Sequence, residues 1–391
     1  MNEFKKIKPL SNNFYNQTRK MLLRLIEEKD LDGFLITNPA NIFYFTGFFY
    51  VTNERPSGFF LSKENKSKLF IPLLEKENSE NTIIDEILIY EEYPGKINPY
   101  SFMAQNINEK KIGTDINKID IIELIKNRFE ILDYKVNINY FRYQKLKEEI
   151  DIITEAAKYA DLTLEYLKEN GKELINSETN ERELVKICTE EAKKEMLKNL
   201  PADFDETPCN VVATIHSGPR GAFPHGKSLS RVPKRNETLI CGVGACVGGL
   251  YAESGVTFIL GEPSHDQMDI IKTMKEVNDE VIKNLKEGTE CENINEIATA
   301  IYKESGYFEF VRHRIGHGMG FEGHEAPWLS PGDKTILKKN MIFSNEPGIY
   351  RPNIDGYRTI SSMIVDVNNG KQISSFLDKS IDHRIINLTK G

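Results

Sequence analysis

The sequence lacks a long apolar run and any paired cysteine motif. Its longest apolar stretch covers residues 42–51, well short of the roughly 18 or more residues that a membrane-spanning helix needs. Lys5, Lys6 and Lys8 are followed by polar residues and not by an apolar segment, so no secretory signal is predicted. We therefore expect no membrane partner and a cytoplasmic location.

Positive charge and cysteine are also scarce. The 391 residues carry 51 Lys and Arg against 59 Asp and Glu, a net charge of −8, and no basic block stands apart from acidic neighbours. Proteins that bind phosphate backbones concentrate Lys and Arg on one surface, so no nucleic-acid partner is expected. Five cysteines without a CxxC pair disfavour a disulfide framework and a thiolate zinc site.

Hydrophobic residues make up 39% of the chain, which is enough to form large cores. At roughly 150 residues per domain its length favours two domains. An α/β domain is predicted for residues 1–145, beginning with an amphipathic helix at residues 16–28. Apolar runs between turn residues then predict strands at residues 33–36, 42–51, 58–61 and 68–74.

The second predicted domain, residues 146–391, combines helices with antiparallel strands. Its first helix is expected to end at Gly171. Ser264 and Gln267 have the spacing of a capping box at the start of a later helix. Alternating apolar residues at 256–260 predict a half-buried strand, and Asn369-Gly370 predicts a hairpin turn.

Histidine is absent from the first domain. All seven histidines lie beyond residue 215, and histidine is the usual proton carrier and a common metal ligand near neutral pH. Catalytic chemistry is therefore expected in the second domain, and the first domain is expected to regulate, dimerise or shape the substrate site.

Three short motifs concentrate unusual residues in the second domain. His225 lies in a Pro-His-Gly turn, and the glycine-rich stretch 316–328 carries His317 and then His324-Glu325. Glu346 follows the apolar run 341–343 and precedes Pro-Gly. A carboxylate at the end of a buried strand is costly unless a cation or hydrogen-bond donors meet it. These motifs together predict a catalytic cleft.

In this order the motifs resemble those of the pita-bread hydrolases, which include aminopeptidase P, prolidase, methionine aminopeptidase and their metal-free relative creatinase. The resemblance covers nearly the whole chain, because residues 44–48 and 54–56 are similar to the creatinase-type N-terminal domain. It implies an α/β N-terminal domain and an α+β pita-bread catalytic domain. It also implies a homodimer in which the loop at residues 52–56 reaches toward the partner subunit's cleft.

The resemblance fails at two of the family's five metal positions. Those positions fall here on Gly242, Glu253, His317, Glu346 and Ile360, and glycine and isoleucine coordinate nothing. We therefore expect a metal-independent, creatinase-like hydrolase that cleaves a C–N bond in a small substrate, with Glu253 and Glu346 gripping an amidino or ammonium group.

Two alternatives stay open. In the first, Glu253, His317 and Glu346 hold a single divalent ion, for which manganese is the most suitable metal, in an Xaa-Pro dipeptidase that cleaves dipeptides. In the second, the chain is an inactive pseudo-peptidase that binds a peptide or a partner in the inherited cleft. The expected cofactor is thus none, or one divalent metal.

The predicted roles follow from the chemistry of each side chain. His225 is expected to activate water or relay a proton, and His317 and His324 to orient the substrate and stabilise developing charge. Glu346 is the predicted general acid or base. The predicted substrate-binding residues are Glu253, Glu325 and Arg358; Arg358 would pair a substrate carboxylate or else form an ordinary salt bridge.

Overall fold

A computed structural model describes residues 7–51, 53–80 and 82–388 of the chain. These residues form two compact units, one of residues 10–142 and one of residues 7–9 with 143–388. The sequence placed the boundary after residue 145, close to this division. Part of the loop expected to reach a partner, at residue 52, lies outside the described residues. Within the described ranges no helix has the length and apolar character needed to cross a bilayer.

The unit of residues 10–142 is a six-stranded mixed sheet with four helices. The strands lie in the order β4-β3-β2-β1-β5-β6, and β2 pairs antiparallel with both of its neighbours, whereas the other pairs are parallel. The helices are α1 Asn12–Glu28, α2 Pro39–Thr46, α3 Pro99–Gln105 and α4 Ile119–Ile125. The strands are β1 Gly33–Ile36, β2 Gly58–Ser62, β3 Ser67–Pro72, β4 Glu86–Tyr90, β5 Lys111–Thr114 and β6 Ile131–Asp133.

The predicted strand at residues 42–51 is wrong, because α2 occupies its first half and the structure assigns no strand to residues 47–51. The Asn38 side chain accepts a hydrogen bond from the Asn41 amide, and Pro39 takes the first helical turn, where its missing N–H costs nothing. Gly47 ends the helix at φ 77°. An apolar run alone does not distinguish a strand from a buried helix, and the capping residues on either side decided the outcome.

The larger unit is built on one extended sheet. Strands follow the order β11-β10-β12-β15-β9-β8-β7, with β16 beside β15 and β17 beside β9, and every pair along the main path is antiparallel. A separate hairpin pairs β13 with β14. The helices are α5 Lys147–Asn176, α6 Glu181–Asn199, α7 His265–Asn284 and α8 Cys291–Glu304. The strands are β7 Asn210–Ser217, β8 Thr238–Val247, β9 Leu250–Leu260, β10 Gly316–Gly318, β11 Glu325–Leu329, β12 Ile342–Asn345, β13 Gly348–Arg351, β14 Asp355–Arg358, β15 Ile360–Ile364, β16 Lys371–Gln372 and β17 Ile385–Ile386.

Local predictions in this unit had mixed outcomes. The capping box is confirmed, since the Ser264 hydroxyl accepts from the Gln267 amide and the Gln267 side chain accepts from the Ser264 amide. Gly171 does not end its helix: a Cβ there would lie 2.9 Å from Ile386 Cδ1, so close packing explains this glycine. The strand predicted at residues 256–260 is confirmed as part of β9, but these residues are buried on both faces of the sheet, so the predicted half-burial is wrong.

A buried carboxylate, that of Asp161, links helix α5 to strand β9. Asp161 accepts hydrogen bonds from the Ser254 hydroxyl at 2.7 Å and from the Ser375 amide at 2.6 Å. Burial raises the pKa of Asp161 to about 6, although these hydrogen bonds oppose the shift. The ionised carboxylate is therefore less favourable in the folded chain than in the unfolded one.

This shift predicts a pH dependence of stability. Because the folded pKa of Asp161 exceeds the unfolded value of 3.8, its contribution is fully present below that value and is lost as the pH rises through about 6. The free energy of unfolding should lose about 2 kcal/mol from this group between pH 4 and pH 7.5. Urea unfolding of the wild type and Asp161→Asn at both pH values measures it, and a constant difference between the two proteins would contradict it.

Candidate active site

One face of the large sheet carries a row of polar side chains across four strands. His317 of β10 lies opposite Ser344 of β12, which lies opposite Ser362 of β15. The Ser362 hydroxyl donates to the Glu253 carbonyl oxygen and accepts from the Glu253 amide, at 2.7 and 2.9 Å. Directly opposed residues project to the same face of a sheet. The register therefore brings His317 and Glu253, which are 64 residues apart in sequence, to one surface.

A second row lies two residues further along β9 and β15 and continues onto β8. Gly242 of β8 lies opposite Gly255 of β9, and Gly255 lies opposite Ile360 of β15. Glu346 directly follows the last residue of β12. The turn after β12 therefore places the Glu346 carboxylate beside both rows. The apolar run at residues 341–343 predicted this position at the end of a buried strand.

The acidic and imidazole groups converge within a few ångströms. His317 Nε2 lies 3.7 Å from Glu253 Oε2 and 3.4 Å from Glu346 Oε2. His324 Nε2 lies 4.0 Å from Glu253 Oε1, and the two imidazole rings stack with centroids 3.8 Å apart. Of the predicted site residues, the structure therefore brings Glu253, His317, His324 and Glu346 into one cluster.

The tautomer of His317 determines what this cluster can bind. His317 Nδ1 lies 3.0 Å from the Gly318 carbonyl oxygen, which can only accept, so Nδ1 carries a proton. In the neutral ring Nε2 then carries no proton, and its lone pair points toward the Glu253 and Glu346 carboxylates. His317 Nε2 and Glu253 Oε2 are buried and have no hydrogen-bond partner in the described part of the chain. Such an arrangement of donors fits a cation, either a proton or a metal ion.

The charges in the cluster respond to one another. Burial, followed by the charge of Glu346, raises the pKa of Glu253. Burial acts in the same sense on Glu346, but His317 and Arg358 outweigh it and lower the pKa of that carboxyl. When two carboxylates share a buried site, keeping both of them ionised costs free energy unless a cation lies close to them. A divalent ion would supply that charge to Glu253 and Glu346 together.

The cluster opens into a cleft of about 410 Å³. Its lining includes Glu253, His324 and Glu346, together with Arg358 and the exposed His225 of the Pro-His-Gly turn. The turn that was predicted from sequence thus places His225 on the wall of the cleft, free to contact a substrate.

The sequence analysis gave no role to His313, which also lines the cleft. Its Nδ1 lies 2.7 Å from the Arg314 carbonyl oxygen, and its Nε2 accepts from the Tyr350 hydroxyl at 2.9 Å. Burial lowers the pKa of His313, which favours the neutral ring that this pattern requires. The one available signal was its position four residues before His317.

Arg358 forms no ion pair with the described residues, so the alternative of an ordinary salt bridge does not hold there. Its Nη1 donates to the Pro224 carbonyl oxygen at 2.9 Å, and its backbone amide donates to the Thr257 hydroxyl at 2.8 Å. The guanidinium is therefore held at the cleft wall by a neutral carbonyl, while the Thr257 hydroxyl fixes the backbone of Arg358.

Glu325 does not join the cluster, which corrects its assignment as a substrate-binding residue. Its carboxylate is buried and lies 2.6 Å from the Lys145 ammonium. A Cβ at Gly320 would come within 2.7 Å of Lys145 Nζ, so the glycine-rich loop closes directly over this ion pair. Glu325 anchors the loop that carries His324 and does not face the cleft.

Breaking this buried pair should be costly. Lys145→Met leaves the Glu325 carboxylate without its cation, and we expect the free energy of unfolding to fall by about 3–5 kcal/mol. The double variant Lys145→Met/Glu325→Leu should lose less, because no charge stays buried without a counterion. Urea unfolding of the three proteins tests this, and a double variant less stable than Lys145→Met would refute it.

Comparisons with known proteins agree with this geometry. Residues 151–367 match the model of "Metallopeptidase family M24" and residues 19–143 match the "Creatinase/Prolidase N-terminal domain". An Xaa-Pro dipeptidase of Pyrococcus furiosus is 28% identical over 366 residues, which cover 90% of this chain and 96% of the relative.

Solved structures are similar over the same span. The prolidase from Thermococcus sibiricus superimposes with a TM-score of 0.78 at 26% identity, covering 93% of this chain and 98% of that one. Dipeptidase PepE from Mycobacterium ulcerans superimposes with a TM-score of 0.80 at 19% identity, covering 97% of this chain and 100% of that one.

These matches confirm the predicted fold class, an α/β N-terminal domain followed by a pita-bread catalytic domain, and the resemblance on which it depended. They do not support the main expectation of a metal-independent, creatinase-like activity. The relatives are dipeptidases and the family is one of metallopeptidases, which favours the metal-dependent alternative.

Proposed function

Since this chain belongs to metallopeptidase family M24, whose members are hydrolases, we propose that it hydrolyses Xaa-Pro dipeptides with one divalent cation held by Glu253, His317 and Glu346. The observation that carries this proposal is the buried His317 Nε2, which lies 3.7 and 3.4 Å from the Glu253 and Glu346 carboxylates and has no hydrogen-bond partner in the described residues. The Xaa-Pro specificity is drawn from the relatives.

The donor set suits a hard divalent ion. Two carboxylates and one imidazole favour manganese over softer metals. A bound ion of this kind would polarise the scissile carbonyl and lower the pKa of water. His317 is fixed for this task from both sides, by the Gly318 carbonyl at Nδ1 and by the stacked ring of His324.

The remaining residues handle the proton and the substrate. His225 lines the cleft from an exposed turn, so it can take a proton from water and deliver it to the leaving nitrogen. His324 is 56% exposed at its side chain and can donate a hydrogen bond to the substrate or to its developing oxyanion. The size of the cleft suits a dipeptide. A homodimer is retained as a proposal, which analytical ultracentrifugation tests.

The decisive experiment compares substrates with and without metal. Protein stripped with a chelator should be inactive, and added Mn²⁺ should restore cleavage of Ala-Pro and Leu-Pro far above that of Ala-Leu. Creatine hydrolysis by the stripped protein would instead support the creatinase-like alternative. Folded protein that binds peptides but cleaves none of these substrates would favour the pseudo-peptidase.

A further inference from the structure

The second row of the site offers a metal ion nothing to bind. Gly242 and Gly255 have no side chain, and Ile360 fills the space above them. A Cβ on Gly255 would lie 2.8 Å from Ile360 Cδ1, and a Cβ on Gly242 would lie 3.1 Å from the same atom. This part of the cleft floor is therefore apolar and closely packed.

A permanent positive charge lies over the same row. Arg358 Nη2 would come within 2.7 Å of a Cβ on Gly242, so the missing side chain is what makes room for the guanidinium. Nη1 is fixed by the Pro224 carbonyl oxygen. Nε is buried and has no hydrogen-bond partner among the described residues. Because arginine stays protonated at any accessible pH, this charge is constant.

The guanidinium and the two carboxylates line the same cleft. His317 Nε2 lies 3.7 Å from Glu253 Oε2 and 3.4 Å from Glu346 Oε2, so the carboxylates share this cleft with one imidazole and one guanidinium.

We infer that the Arg358 guanidinium is the second cation of this site: it occupies the position over Gly242, Gly255 and Ile360, where no side chain could hold a second ion, and it weakens the binding of the one divalent ion that the site takes. The inference rests on the proposed function, in which Glu253, His317 and Glu346 hold that ion. The Arg358 charge lowers the affinity for the ion by repulsion and leaves N–H donors at the cleft wall for a substrate carboxylate.

Calorimetric titration of the chelator-stripped protein with Mn²⁺ tests the inference directly. The wild type should bind one equivalent. Arg358→Met, which keeps much of the length but removes the charge, should bind one equivalent at least about tenfold more tightly, because a nearby like charge is gone. Arg358→Lys, the matched control that keeps the charge, should bind like the wild type. Arg358→Gln repeats the test if Arg358→Met does not fold, as judged by circular dichroism.

The outcomes separate the two hypotheses. Unchanged affinity in the neutral variants would overturn the role of Arg358 and leave the proposed function intact. Two equivalents in the wild type would overturn both the role of Arg358 and the single ion of the proposed function, but not metal-dependent hydrolysis. No binding at all in the wild type would overturn the proposed function first. Gly242→Asp/Arg358→Met/Ile360→Glu, which adds two carboxylates and removes the guanidinium, should bind a second equivalent, and failure of the folded triple variant to do so would count against the inference.

Discussion

Replacing His317 with alanine should raise the dissociation constant for Mn²⁺ by about a thousandfold or more and abolish dipeptide hydrolysis. Loss of an outer-shell partner costs metal sites 10–100-fold in affinity, and His317 would be a direct ligand. Its loss also leaves Glu253 and Glu346 buried without their imidazole partner. Titration calorimetry measures the affinity, and a continuous assay of proline release measures the turnover.

The matched control for this change is His265→Ala. His265 is 92% exposed at its side chain, at the first residue of α7, and its carboxylate neighbour is the surface residue Asp269. We expect metal affinity and turnover in this control to match the wild type. If His317→Ala kept wild-type affinity for Mn²⁺ while remaining folded, the ion would have to bind elsewhere and the proposed site would be wrong.

The residues of the candidate site could be proposed from the sequence because they lie in turns and at strand ends. His225 and Glu346 were found from proline and glycine neighbours, and His317 from the flanking glycines. The structure places all three at the cleft or its cluster. Short-range signals of this kind survive in a single sequence because the turn chemistry and the functional residue are adjacent.

The features of the site that could not be predicted from the sequence depend on contacts between residues far apart in the chain. The Lys145–Glu325 ion pair joins residues 180 positions apart, and no local pattern marks either partner as buried. The tautomer of His317 depends on a backbone carbonyl whose direction follows from β10 pairing. The helix at 39–46 was misassigned because its eight residues are almost all apolar, which removes the periodicity that separates helix from strand.

The role of Ile360 also could not be predicted from the sequence, because it depends on strand register. The resemblance to the pita-bread hydrolases marked Gly242 and Ile360 as lost ligand positions, which favoured a metal-free site. The register adds that both lie in one row with Gly255, away from the row that carries His317 and Glu253. A half-site with intact ligands therefore remains beside an apolar half, and this arrangement is compatible with one ion.

His225→Ala should lower kcat by about 10²- to 10⁴-fold, the usual range for loss of a general acid or base, without changing the affinity for Mn²⁺. The reason is geometric: His225 lines the cleft from an exposed turn, whereas the proposed cation-binding atoms of Glu253 and Glu346 lie 3.7 and 3.4 Å from His317 Nε2. Steady-state kinetics at saturating Mn²⁺ and calorimetric titration of the same preparation measure the two quantities separately.

Phe223→Ala controls for disturbance of the turn, because Phe223 is exposed two residues before His225. We expect this control to keep both metal affinity and kcat within a few-fold of wild type. A weakened Mn²⁺ affinity in His225→Ala would instead make His225 a ligand, and full activity would remove it from the mechanism. The pair His317→Ala and His225→Ala thus divides the site into a residue that holds the ion and a residue that moves the proton, since only the first should lose both functions.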